Sequence, residues 1–382
     1  MQHILRSTHT RRAGGAAIAA LALPLYAGRR TASAAPMAAG SLRAGAVYAL
    51  TNASSGNAVA SFSRSADGSL ADAGMMATGG AGMGSGLGSQ GALALSKDGG
   101  WLYAVNAGSN TISVLRVDTG LSLVMTRPSG GSRPISLTVS GNLLYVLNEA
   151  SGTLSGFVVG PQGTLEPLAN STIPLPSTPT GTPPGPAQVS FTPDGNTIVV
   201  TEKAANAIVS YAVGDDGRLA PPTMIASSGA TPFGFDFAGR TTLVVSEASG
   251  GASSYEVRRS GGVHAITHSL SDNQKAACWL VASENGQYAY VANAASGSIS
   301  AYGVDQRGRL TLLTPDGVTA STGAGSHPTD EALTRGSGFL YVLLTPATSS
   351  SIQGFAVGAD GTLQPAATVA GLPAGASGLA AW

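Results

Sequence analysis

The chain has little charge. Of its 382 residues, 20 are Lys or Arg and 20 are Asp or Glu, so one residue in ten is charged and the net charge is zero. An ordinary soluble domain carries roughly 25%. A nucleic-acid binder needs a surplus of Lys and Arg to release counterions, so no nucleic-acid partner is expected. Disorder needs high charge and low hydrophobicity, whereas 43% of this chain is apolar. Cysteine is nearly missing. Cys278 alone excludes an intrachain disulfide and any cysteine-based metal site, and it reads as a small buried hydrophobe. Histidine is scarce as well: His3, His9, His264, His268 and His327. His264 and His268 have zinc-like spacing for a helix, but they fall in an expected strand or loop with no acidic third ligand in register. The run Gly86-Leu87-Gly88-Ser89-Gln90-Gly91 has dinucleotide-loop spacing. A strand-like segment, Ala92–Leu95, follows it where that motif needs a helix. There is no Gly-x-Ser-x-Gly nucleophile elbow. No metal and no cofactor are expected.

Long apolar runs are missing too. The uncharged stretch Ala13–Gly28 is too short to span a membrane, which takes about 20 residues. It follows Arg6, Arg11 and Arg12 and precedes Ala32-Ser33-Ala34, the layout of an export signal with a small-residue cleavage site. Thr10-Arg11-Arg12 resembles a twin-arginine signal. We expect residues 1–34 to be an export signal, residues 35–382 to form one domain, and the mature protein to be periplasmic or secreted.

What the chain has is glycine (53 residues), proline (21) and a repeat. An apolar stretch with a central aromatic or β-branched residue runs into Asn or Glu and then a small-residue turn. It appears as Leu102-Tyr103-Ala104-Val105-Asn106, Leu144-Tyr145-Val146-Leu147-Asn148 and Ala289-Tyr290-Val291-Ala292-Asn293. Seven copies centre on Tyr48, Tyr103, Tyr145, Val199, Val244, Tyr290 and Tyr341, roughly 49 residues apart. Asp-Gly and Asn-Gly pairs recur in five of the seven copies. They suit tight hairpins whose two central residues take positive φ. Four short strands per copy, seven times over, is the pattern of an all-β, seven-bladed β-propeller. The first copy lacks its leading strand, and Gly378-Leu379-Ala380-Ala381-Trp382 is a leading strand without a copy. The C-terminal strand is therefore expected to pair with the first blade and close the ring, hiding sheet edges.

In such a ring the ends of second strands and the starts of first strands line the mouth of the central channel. The former give Asn106, Asn148, Glu202, Glu247 and Asn293. The latter give Gln90, Arg133, Gln188, Phe233, Trp279 and His327 to Asp330. Glu149 and Lys203 adjoin them. The loops Gly79–Gly91 and Pro174–Pro186 run to the same face. A carboxylate facing Arg133, Lys203 or His327 could do acid–base work on a small anionic substrate. The same Asn and Glu residues could equally hold turn backbone and stabilise each blade.

The repeat, the Asp-Gly-x-Leu closures and Pro193-Asp194-Gly195 resemble the seven-bladed lactonase family, which includes 6-phosphogluconolactonase-like proteins and the fungal 3-carboxymuconate cyclase. The resemblance spans about residues 45–382. It implies hydrolysis of a lactone, or cyclisation of a carboxymuconate-type precursor. Family enzymes carry a His-Pro-His-Gln-Val segment on a first strand. Here it reads Gly185-Pro186-Ala187-Gln188-Val189, without either imidazole. On this resemblance Glu202 and His327 are the candidate catalytic groups. Arg133, Gln188, Lys203, Glu247, Gln90, Trp279 and Asp330 are the candidate substrate contacts. A monomer acting on a small anionic or lactone substrate is expected. The alternative is a non-catalytic exported propeller that binds a small ligand or a partner protein. An open mouth favours catalysis and a plugged channel favours the binder.

Overall fold

The computed structural model describes residues 45–178 and 181–382. The expected export signal lies outside the described residues. Among those residues there is no α-helix, only a single 3-10 turn at Arg335–Ser337 and short strands.

The strands form seven antiparallel sheets, one per sequence copy, and in blades 2 to 7 the strands follow chain order from the centre outward. The first strands are Leu93–Leu95, Pro134–Ser140, Pro186–Phe191, Pro232–Ala238, Ala277–Ala282 and Pro328–Leu333 in blades 2 to 7. Blade 1 takes its first strand from the C-terminus. Leu379–Ala381 pairs with Ala46–Leu50, with Ala380 opposite Tyr48. The Trp382 N–H donates to the Ala46 carbonyl at 2.9 Å. The clasp read from the sequence closes the ring.

The repeated residues have physical jobs. Apolar faces of adjacent blades bury one another, and in blades 3, 6 and 7 the tyrosine at the centre of the second strand reaches the next blade. The Tyr145 hydroxyl donates to the Gly217 carbonyl at 2.7 Å, Tyr290 to Gly361 at 3.2 Å and Tyr341 to Gly68 at 2.7 Å. Each accepting glycine belongs to an Asp-Gly turn, which is why the tyrosine and the turn recur together. A buried tyrosine stays hydrogen-bonded by this route.

The turns differ from the expected two-residue hairpins. No aspartate takes positive φ; the glycine alone does, as at Gly68 (φ 84°). The Gly68 N–H donates back to the Ser65 carbonyl at 3.0 Å, and Asp67 accepts the Ser69 N–H at 3.0 Å. A type I turn followed by a left-handed glycine needs positive φ at one residue only, and the aspartate serves as acceptor.

First strands of a propeller leave N–H groups with no strand beside them on the channel side. Side chains of the preceding blade supply the partners. Ser136 accepts the Val189 N–H at 3.1 Å. Gln188 forms a paired bond with the Phe235 N–H and carbonyl at 2.7 and 2.9 Å. Asp236 accepts the Ala282 N–H at 2.9 Å, and Asp330 accepts the Leu379 N–H at 3.1 Å. The polar residues of the first strands thus join the blades around the ring.

Candidate functional site

We call the face where first strands begin the upper face, and the face of the Asp-Gly turns the lower face. All the candidates named from the sequence lie toward the upper face, but the structure gives them different tasks.

The channel axis is filled there. Residues Leu87 to Gly91 cross it and bond to blades 3, 4 and 6. The Gly88 carbonyl accepts from Lys203 Nζ at 2.6 Å. Ser89 Oγ donates to the Ile135 carbonyl at 2.8 Å, and the Ser89 carbonyl accepts from Trp279 Nε1 at 2.9 Å. The Gln90 N–H donates to the Ala187 carbonyl at 3.2 Å, and its side chain pairs with the Leu280 carbonyl and N–H at 2.7 and 3.0 Å. Gln90, Trp279 and Lys203 are therefore engaged with the plug. Lys203 Nζ also sits 5.0 Å from the centre of the Phe233 ring, whose centroid is 4.9 Å from that of Trp279. Burial lowers the Lys203 pKa, and burial pushes the Cys278 thiol up to about 12. Cys278 is a protonated core residue at neutral pH, as its lone status suggested.

The two positions that hold histidine in the resemblance are closed to it. Gly185 takes φ 53°, and a Cβ there would lie 2.7 Å from the Ala204 side chain. Ala187 is fully buried against Phe233, Cys278 and Trp279.

The column at the ends of second strands is structural in four of its five members. Asn106 donates to Thr111 and Ser113 at 3.1 and 2.8 Å, Asn148 to Ser155 at 3.1 Å, and Asn293 to Ser298 and Ser300 at 3.2 and 2.8 Å. Glu247 accepts from Ser253, Ser269 and the Gly229 N–H. The carboxylates of Glu247 and Asp330 are spent on blade backbone and hydroxyls, as is the amide of Gln188.

Glu202 is the exception. The third-strand residues opposite it and two places along are Ala207 and Val209, where blades 2, 3 and 6 have hydroxyls. Glu202 is fully buried and neither oxygen has a hydrogen-bond partner. Burial pushes its pKa up to about 8, so the acid is neutral at pH 7. His327 is exposed on blade 7, three blades away, and the structure does not bring it to Glu202.

One charged pair stands at this rim. Arg133 Nε lies 2.6 Å from Glu149 Oε2, with side chains 43% and 23% exposed. Hairpin register puts them together: Pro134 pairs with Asn148, so the residues just outside meet at the rim. They border a cavity of about 400 Å³ between blades 3 and 4, closed on its far side by Pro183, Pro184 and Gly185. Lys203 feels both charges from the next blade. Glu149 is the carboxylate that the sequence placed beside the site without giving it a role. The signal was present in the register of its own hairpin.

The ring of seven antiparallel blades, closed by the C-terminal strand, defines a seven-bladed β-propeller. The chain belongs to the lactonase family of seven-bladed β-propellers, whose family model matches residues 44–177, 124–275 and 238–348. No curated protein matches the sequence. Among solved structures, a Lactobacillus plantarum protein is 17% identical, with a TM-score of 0.69, over 88% of this chain and 99% of that one. A proposed 6-phosphogluconolactonase of Bacteroides uniformis is 22% identical, with a TM-score of 0.69, over 86% and 97%. A periplasmic gluconolactonase of Pseudomonas aeruginosa is 18% identical, with a TM-score of 0.54, over 69% and 78%. Identities this low carry the fold alone.

Proposed function

We propose that this lactonase-family propeller acts on a small anionic lactone, or its carboxylated precursor, at the upper rim between blades 3 and 4 rather than on the channel axis. The observation that carries the reading is the Arg133–Glu149 pair, accessible and bordering the 400 Å³ cavity, while the axis is occupied by residues 87–91. Arg133 matches a carboxylate or phosphate of the substrate and favours negative charge on the carbonyl oxygen as water adds. Glu149 takes the proton of that water. The water oxygen bonds to the acyl carbon, the ring C–O bond breaks, and the proton passes to the leaving alkoxide. Lys203, nearby, adds positive charge. Glu202, neutral and enclosed, has no part in the transfer. The export signal read in residues 1–34 supports a periplasmic or secreted site of action.

The second reading is a non-catalytic propeller that binds an anion at the same rim. The plug, together with Gly185 and Ala187 where the resemblance has histidine, favours it. One experiment separates the two. Two of the solved neighbours are a proposed 6-phosphogluconolactonase and a gluconolactonase, so 6-phosphogluconolactone and gluconolactone are the first substrates, with muconolactone for the cyclase branch. Arg133→Ala and Glu149→Gln are each expected to lower kcat/KM tenfold or more, and Glu202→Gln to stay within twofold. Glutamine mimics the neutral acid already there. If Glu202→Gln abolished turnover while Glu149→Gln did not, the assignment would be reversed. If the wild type bound these anions through Arg133 without opening any lactone, the second reading would stand.

A further inference from the structure

The tyrosine column has an odd member on the lower face. Tyr145, Tyr290 and Tyr341 each give their hydroxyl to a turn carbonyl of the next blade. Tyr103 is 1% exposed, yet its hydroxyl has no hydrogen bond among the described residues. The hydroxyl is not sealed in protein but is reached by solvent. Here Tyr103 lines a cavity of about 900 Å³ beneath blades 2, 3 and 4, on the face opposite Arg133.

The chemistry of this cavity is that of a neutral polar ligand. Its carboxylates are already occupied. Asp194 accepts from Thr192 Oγ1, the Asn196 N–H and Asn196 Nδ2 at 2.7, 3.1 and 2.6 Å, and Asp98 accepts from Ser96 Oγ and the Gly100 N–H. Lys97 is the one cation among the lining residues, so an anion has no clamp there. The groups left over are the Tyr103 hydroxyl, the Asn142 amide and the half-buried Trp101 ring, which lies over Gly163. A second cavity of about 630 Å³ shares Asp98, Trp101 and Pro161 with the first and extends the groove toward the outer rim. The second cavity adds Arg116, which faces Asp118 at 3.9 Å. A groove with an indole at its middle, flanked by the Tyr103 hydroxyl and the Asn142 amide, suits a chain of pyranose rings. Their C–H faces pack on an aromatic face, and their hydroxyls both donate and accept.

We propose that this lower-face groove binds a neutral oligosaccharide, with Trp101 as the platform and the Tyr103 hydroxyl as a hydrogen-bond partner. The site is separate from the lactone rim. Titration calorimetry of the full chain against maltohexaose, cellohexaose, xylohexaose and chitohexaose tests it. At least one should bind the wild type. Trp101→Leu should weaken that binding tenfold or more. Tyr103→Phe should weaken it about fivefold, the value of one lost hydrogen bond. Because the Tyr103 hydroxyl has no protein partner, Tyr103→Phe should melt with the wild type, which separates a lost contact from a lost fold. Failure of all four sugars to bind the wild type at about 10 mM, or equal binding by Tyr103→Phe and Trp101→Leu, would overturn the proposal.

Discussion

Glu202 shows how far one side chain's place and surroundings can be read from a repeat. Its position at the end of a second strand was legible from the repeat. Its isolation shows only once the strands are paired: the hydroxyl pairs Thr111/Ser113, Thr153/Ser155 and Ser298/Ser300 become Ala207/Val209 in blade 4. That comparison needs the pairing register, which the sequence pattern leaves undefined to within a residue. The energetic consequence has a definite sign. A carboxyl whose pKa is raised to about 8 in the native state binds a proton that the unfolded chain releases near 4.5. Its stabilising share is complete below about pH 4.5 and is lost as the pH rises to about 8. Glu202→Gln is therefore expected to gain stability at pH 8 relative to the wild type and little at pH 4.5, measured by urea midpoints at the two values. An equal change at both would mean that the carboxyl is solvated in the native protein.

At the scale of elements, the strands and their closure were legible because each rests on local pattern. Valine, tyrosine and leucine repeat at short intervals, and Asp-Gly punctuates them. The plug was not legible. Its bonds join Gln90 to Leu280 and Ser89 to Trp279, across 190 residues of chain, and no local pattern encodes them. A run of glycine and serine reads as an open loop until the other blades are in place around it. The clasp has the opposite character. Removing residues 377–382 deletes the Leu379–Ala381 ladder, exposes Ala46–Leu50 as an edge and leaves the Asp330 carboxyl without the Leu379 N–H. Losing buried Leu379 alone costs roughly 1.5–3 kcal/mol. The truncated chain is expected to melt roughly 5 °C lower or more. Equal melting temperatures would contradict the closure.

At the scale of the molecule, the scarcity of charge becomes a pH profile. Of 20 acidic residues, several sit where burial raises their pKa: Asp330 to about 8, Asp236 to about 6, and Glu331 and Asp272 upward. With Glu202 they make the native state bind more protons than the unfolded chain between about pH 4 and 8, so stability falls across that range. The turn aspartates act in reverse. Hydrogen bonds hold Asp67, Asp216, Asp305 and Asp360 below the usual value, and their contribution is lost below about pH 4. Thermal melts from pH 3 to 9 are expected to peak between about pH 4 and 6. A maximum at pH 8 would mean that the buried acids are compensated.

The proposed function hangs on the Arg133–Glu149 pair, in a molecule that has spent many of its carboxylates on turns and blade contacts. The direct test is kcat/KM for 6-phosphogluconolactone against gluconolactone, in wild type and in Arg133→Ala. The account predicts a loss of tenfold or more in Arg133→Ala, larger for the phosphorylated lactone, with an unchanged melting temperature. Equal rates in the two proteins on both lactones would contradict it.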